Sequence, residues 1–179
     1  MNKIRNEAVI EHSPPVAMHS ICPLEVALAV DIRDKEQALA SAAKLVNRSL
    51  ALDPEPIERA LSRREQAGST ALGYGIAIPH ARIDGIDHPL TVFLRARYPI
   101  AFDAPDGKPV SDFLVILVPA AGSPEEHLQM LAKVAQIFAD REFREELAAA
   151  DEPGDIRATF TAWLEGSTPP LPATIRHAA

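Results

Sequence analysis

The ten residues Val110-Ser-Asp-Phe-Leu-Val-Ile-Leu-Val-Pro119 constrain the fold of this chain more than any other segment, because after Asp112 they are apolar without alternation. A strand exposed to water on one face alternates apolar and polar residues; a continuous run requires cover on both faces. Val110 to Val118 therefore reads as a central strand of a sheet sandwiched between helices. Leu90 to Tyr98 reads as a second strand, and the Asp106-Gly107 pair between Phe102 and Val110 supplies turn residues for a hairpin joining the two.

Helical patterns surround these strands. Asp34 caps a helix with Gln37 three residues on, after which Ala38, Ala42, Leu45, Val46 and Leu50 recur at helical spacing. A second helix is expected from about Glu55 to Gln66, with Pro56 in its first turn and Ile57, Ala60 and Leu61 as its buried stripe. Arg64 continues that stripe, whereas Arg63 points about 100° away. After Pro119, Ser123 is an N-cap, Pro124 suits the first helical position, Glu126 completes a capping box, and Leu128, Leu131, Ala135 and Phe138 form an apolar stripe. Glu142 to Ala149 and Pro153 to Leu164 are two further amphipathic segments. The expected architecture is α/β: a single domain over 21–165 with a mixed central β-sheet and helices on both faces. Residues 1–20 read as a mobile arm and 166–179, with Pro169, Pro170 and Pro172, as a tail outside the fold.

Composition excludes several classes. A formal charge of -7 argues against general nucleic-acid binding. The longest apolar run, Phe113 to Ala121, is far short of a membrane span, and no signal-like segment opens the chain, so a soluble cytoplasmic protein is expected. The single cysteine, Cys22, forms no internal disulfide and anchors no thiolate metal cluster.

The chemistry-bearing segment is Gly73-Tyr-Gly-Ile-Ala-Ile-Pro-His-Ala-Arg-Ile83. Strand alternation puts Ile76, Ile78 and His80 on one face, and Pro79 removes a backbone donor where the strand is expected to end, leaving His80 at a strand terminus that opens into a loop. Residue by residue, alternatives remain. His80 reads as a presented reactive group or as a surface or core-edge histidine. Arg64 reads as the partner of an anion or as a complement to the helix dipole. His127, in the first turn of its helix beside an anion-favouring N-terminus, reads as part of a phosphate site or as a helix-face histidine against Leu131 and Val134.

Arg64-Glu-Gln-Ala-Gly-Ser-Thr70 followed by Gly75-Ile-Ala-Ile-Pro-His80, then Pro99-Ile-Ala-Phe-Asp-Ala104 with Asp106-Gly-Lys-Pro-Val110, Leu117-Val-Pro119 and His127-Leu128, resembles in order the type-2 enzyme IIA domain of the bacterial phosphoenolpyruvate-dependent phosphotransferase system, above all its nitrogen-regulatory branch. The resemblance covers roughly Pro23 to Glu165. It implies that His80 accepts a phosphoryl group from a phosphohistidine on an HPr/NPr-type carrier protein, with Arg64 and His127 stabilising that group. Neutral imidazole, with an ordinary pKa near 6.5, needs no separate base. Neither cofactor nor metal is implied; there is no Gly-x-x-x-x-Gly-Lys-Ser/Thr loop, and His80 and His127 lack an obvious third ligand, although Asp84 and Asp87 are at hand. The expected function is a regulatory phosphocarrier acting on target proteins. Alternatives are a fructose- or mannitol-type IIA passing phosphate to a separate IIB, and an interaction module that is never phosphorylated. Two positions depart from the family pattern: Tyr74 where Asn is common, and Ala81 where Gly is usual, which would be strained if position 81 required a positive φ.

Overall fold

The structure, a computed structural model, describes residue 21 and residues 23–166; the expectations for residues 1–20, Cys22 and the tail beyond Gly166 lie outside them. Among the described residues, six strands form one mixed sheet and five α-helices make layers on both its sides. Strand β1 (Glu25–Val30) is followed by α1 (Lys35–Leu50), α2 (Pro54–Gln66), the short strands β2 (Ala71–Gly73), β3 (Ile76–Ala77) and β4 (His80–Ile83), the long strands β5 (Leu90–Ile100) and β6 (Val110–Pro119), and then α3 (Pro124–Ala139), α4 (Arg141–Ala149) and α5 (Pro153–Leu164). The path across the sheet is β1-β5-β6-β3-β2, with β4 pairing β6 in line with β3. β5 and β6 are antiparallel neighbours from Leu90 opposite Leu117 to Ile100 opposite Val110, whereas β1 on β5 and both β3 and β4 on β6 are parallel.

The unbroken apolar run of β6 is divided between two cores. Phe113, Val115 and Leu117 face the layer of α1 and α2, where they meet Leu39, Ala42, Val46, Ile57 and Leu61. Leu114, Ile116 and Val118 face α3, α4 and α5, where Phe138, Phe143 and Phe160 form a mutually edge-on aromatic cluster. Each fully buried large side chain contributes roughly 1.5–3 kcal/mol relative to exposure, so this strand cannot be moved to an edge without losing several such terms.

Two stripes differ from the expected ones. Leu50 ends α1 with its side chain 41% exposed, while Leu39 and Ala43 are buried instead. In α3 the buried set is Met130, Val134, Ile137 and Phe138, and Leu128 is 66% exposed. The first turn of α3 lies beside an open cavity rather than over packed sheet, so spacing alone misassigned Leu128.

The turn between β2 and β3 explains one departure noted above. Tyr74 and Gly75 both have positive φ, at 56° and 78°, the pattern of a two-residue hairpin loop that favours Asn-Gly. The Asp106 carboxylate accepts the Tyr74 amide at 2.9 Å and sits 3.1 Å from where a side chain on Gly73 would begin; Gly73 itself has a φ of 91°, so a side chain there would be strained as well as crowded. Tyr74 bears the left-handed strain, but its exposed ring is stacked under the Arg144 guanidinium at 4.2 Å. We expect Tyr74→Asn, made in an Arg144→Ala background, to raise stability by about 1 kcal/mol in urea denaturation, and to gain less in the wild type, where the stack is lost with the ring.

Candidate active site

Ile76, Ile78 and His80 do share a face, but His80 opens a strand rather than ending one. Ile78 and Pro79 interrupt the short β3, and the chain then resumes as β4. Because Pro79 still gives its carbonyl to the Ile116 amide at 2.9 Å, the register survives the break: Ala77 lies opposite Phe113 and His80 opposite Ile116. The histidine is therefore held in register against the buried central strand β6. Ala81, next along, has no positive φ and is buried against the α1/α2 layer, so the alanine that replaces the usual glycine brings no backbone strain.

Each ring nitrogen of His80 has a distinct neighbour. Nδ1 lies 2.9 Å from the Ile78 carbonyl, which can only accept, so Nδ1 carries the proton and Nε2 presents its lone pair. Arg64 Nε donates to that Nε2 at 2.9 Å, and Arg64 Nη1 donates to the Gly68 carbonyl at 3.0 Å. Arg64 is half-buried and Arg63 exposed, in keeping with the helical phase of α2. Burial pushes the His80 pKa below its ordinary 6.5; the bond to Ile78 opposes this and the Arg64 charge adds to it.

His127 approaches from the other layer. Its ring meets that of His80 edge-on, with centroids 5.4 Å apart and planes at 87°. Ser123 caps α3 through bonds from the Glu125 and Glu126 amides, which fixes the first turn carrying His127. Its Nε2 is buried and finds no partner among the described residues. Burial, then the positive character of His80, Arg82 and Arg64, lowers the His127 pKa to about 4. A histidine with a folded pKa below its unfolded one favours folding fully above about 6.5 and loses that contribution as pH falls towards 4. The part-exposed ring makes this contribution modest. We expect an NMR titration to show His127 neutral at pH 6 and its pKa to rise once a dianion is attached to His80; a titration at the ordinary value in the free protein would refute the burial argument.

Arg64, His80 and His127 thus converge on one cavity of about 740 Å³, built where α2 from one layer and α3 from the other meet over β4. Two further residues, one lining the cavity and one behind it, support this arrangement without having been singled out as site residues from the sequence. Arg82, two along from His80, lines the cavity and donates through Nη1 to the carbonyls of Gly122 at 2.7 Å and Ala120 at 3.3 Å, tying the loop that launches α3 to β4. Glu65, adjacent to Arg64, is buried and accepts from Thr70 Oγ1 at 2.6 Å, from the Thr70 amide and from Lys35 Nζ at 3.1 Å. Burial works against the Lys35 charge, but its bonds to Asp103 and Glu65 outweigh that and hold its pKa above the usual lysine value. This network locks the last turn of α2, from which Arg64 projects. Glu65 continues the spacing of Ile57 and Leu61 by four, a signal present in the sequence. Among the described residues no group of three or more His, Cys, Asp or Glu side chains is placed to hold a metal ion, and Asp84 and Asp87 do not join His80 and His127 in one.

Comparison with known proteins decides the family. The family described as "Phosphoenolpyruvate-dependent sugar phosphotransferase system, EIIA 2" matches residues 23–163. The chain belongs to this family. Among relatives of this IIA protein, the nitrogen regulatory protein of Pseudomonas aeruginosa is 41% identical over 117 residues, 65% of this chain and 75% of that one. The fructose-specific EIIA component of Haloferax volcanii is 35% identical over 159 residues, 89% of this chain and 92% of that one. The crystal structure of the nitrogen regulatory protein IIA-Ntr from Neisseria meningitidis superposes with a TM-score of 0.70 at 37% identity, covering 75% of this chain and 92% of that one. No helix of this IIA protein, among the described residues, is long and apolar enough to cross a membrane.

Proposed function

We propose that the protein is a regulatory phosphocarrier that takes a phosphoryl group onto His80 Nε2 from the phosphohistidine of an HPr/NPr-type carrier. The observation that carries this reading is the pairing of His80: Nδ1–H held by the Ile78 carbonyl and Nε2 turned to a guanidinium in an open cavity. In the transfer, the Nε2 lone pair forms the new P–N bond while the donor's P–N bond breaks and its electron pair returns to the donor imidazole. Each ring keeps the proton on its other nitrogen, so no net proton moves and no base is needed. Both ends are phosphohistidines, which makes the step close to isoenergetic and reversible.

Arg64 masks the nucleophile in the resting state, because its Nε–H occupies the lone pair that must attack. Arrival of the donor gives the guanidinium a better acceptor, the phosphoryl oxygens, and frees Nε2. The buried, unpartnered His127 Nε2 is suited to hold a proton toward the same oxygens once the dianion is present, since charge developing there favours a donor. Regulatory use, on nitrogen or other metabolic targets, is favoured by relatives named nitrogen regulatory protein.

A second reading, a sugar-specific IIA that passes phosphate to a separate IIB, is favoured by the fructose-specific relative, whose match extends over 89% of this chain. Mixing the full chain with phosphoenolpyruvate, enzyme I and an HPr-type carrier, then measuring intact mass and mapping peptides at mildly alkaline pH, tests both. One added phosphoryl group on His80 supports the phosphocarrier reading, and efficient onward transfer to a purified sugar IIB replaces regulation with sugar uptake. No label, with carriers shown to be active, leaves a binding module that is not phosphorylated.

A further inference from the structure

The two side chains that flank His80 are held by different means. Arg64 projects from a turn locked by the Lys35–Glu65–Thr70 network, whereas His127 sits in a helical turn with no core anchor of its own. Pro124, Glu125 and Leu128 are exposed, Glu126 and His127 are half-buried, and the first buried residue of α3 is Met130. Where the His127 ring lies over β4 is therefore set from the preceding loop. Among the described residues, two groups tie that loop to β4. The Ala120 amide donates to the Ile83 carbonyl at 2.8 Å, and Arg82 Nη1 donates to the carbonyls of Gly122 at 2.7 Å and Ala120 at 3.3 Å. The bond to Gly122 is the one nearer the helix. Ser123 follows as the cap, and its carbonyl accepts the His127 amide at 3.3 Å, so a single helical turn carries the constraint to the ring. The Gly122 amide is itself bonded to the Pro119 carbonyl at 3.0 Å, which leaves little slack between β6 and the cap.

Arg82 is two positions along β4 from His80 and shares its face, while Ala81 and Ile83 turn into the α1/α2 core. Its guanidinium thus stands on the same strand as the nucleophile, and the carbonyls it grips belong to the loop that launches His127. Asp84 lines the adjoining groove with Arg82, yet the guanidinium bonds to the loop carbonyls rather than to that carboxylate. It is also near enough for its charge to add to the lowering of the His127 pKa. We propose that Arg82 is the positioning residue for His127: by holding the Gly122 and Ala120 carbonyls it fixes the separation and edge-on angle of the two rings, and it acts on phosphoryl transfer through His127. The inference rests on the phosphocarrier reading above and adds the residue that sets the geometry of the second histidine. Without this tie the first turn of α3 is free to shift, and a displacement of about 1 Å in a reacting constellation slows the chemistry by up to about 10²-fold.

A double-mutant cycle on the full chain, with an HPr-type carrier loaded through enzyme I and phosphoenolpyruvate, tests this. Single-turnover label transfer at saturating carrier should fall about tenfold or more in Arg82→Gln, with the half-saturating carrier concentration near wild type. In a His127→Ala background the same substitution should change the rate by less than about twofold, because the group it places is gone. In the free protein, NMR cross-relaxation between the His80 and His127 ring protons should weaken in Arg82→Gln, while the urea midpoint stays close to wild type. Equal slowing by Arg82→Gln in both backgrounds would mean that Arg82 acts on the phosphoryl group or the carrier directly, and would overturn the inference. An unchanged transfer rate or an unchanged ring contact would overturn it too, with phosphorylation of His80 left standing. Absence of label on His80 in the wild type would instead overturn the phosphocarrier reading, and the ring contact would still decide whether Arg82 places His127.

Discussion

The His80→Ala protein takes up no phosphoryl group from a loaded carrier, while its far-ultraviolet circular dichroism and urea midpoint stay close to wild type. The side chain makes two hydrogen bonds, to Ile78 and from Arg64, and neither holds the sheet together. β4 is fixed by its parallel ladder to β6, and the neighbouring core residues Ala81 and Ile83 remain. Losing the imidazole therefore costs about 1 kcal/mol of stability, the usual net worth of such bonds at a half-buried site. The chemical loss is complete because His127, the other ring in the cavity, is not prepared as an acceptor: its charged form is strongly disfavoured, and a phosphorylated imidazole carries just such a charge. Labelling of the variant at the wild-type level, or a phosphoryl group mapped to His127, would show that the nucleophile has been assigned wrongly.

Arg64→Ala produces the next largest change, a slowing of transfer by roughly 10²–10³-fold with the label still on His80, the range found when one positioned donor to a developing charge is removed. Two opposed effects underlie that number. Removing the guanidinium unmasks Nε2, which favours attack, and removes the cation that neutralises the equatorial oxygens, which disfavours it more. They separate in the pH dependence. Without the Arg64 charge, part of the lowering of the His80 pKa is lifted, so the acid limb of the rate profile moves to higher pH in the variant. Arg64→Lys should recover little, because a single ammonium cannot reach both His80 and the Gly68 carbonyl in the forked geometry that guanidinium provides. A rate and an acid limb both unchanged in Arg64→Ala would reduce Arg64 to a helix-end charge.

How much of this was legible beforehand varies with the kind of information involved. The central placement of β6 followed from an apolar run without alternation, and it is buried on both faces as that run requires. The caps at Asp34 and Ser123 were readable because capping is a contact between near neighbours in sequence. The helical phase likewise separated Arg64 from Arg63. What escaped depends on distant parts of the chain. The exposure of Leu128 arises because the first turn of α3 borders the cavity by β4, and nothing in the period of α3 encodes where the sheet stops. The Lys35–Glu65–Thr70 network joins α1 to the end of α2, and a carboxylate on an apolar stripe reads as a fault until the ammonium opposite it is placed. The partner of His80 Nδ1 is only two residues back, yet it depends on the break at Pro79 being followed by a resumed strand rather than a loop.

The two helical layers never meet through the sheet, but each sends one residue around the strand that carries His80: Arg64 from α2 and His127 from α3. A dianion placed between them acts as a clasp, gripped by a cation from one side and a proton donor from the other. The loaded and empty proteins would then differ less in shape than in how firmly the ends of α2 and α3 are fastened to each other. A target that presses on this seam could tell the two apart without touching the phosphorus at all, reading metabolic state as the looseness of a joint.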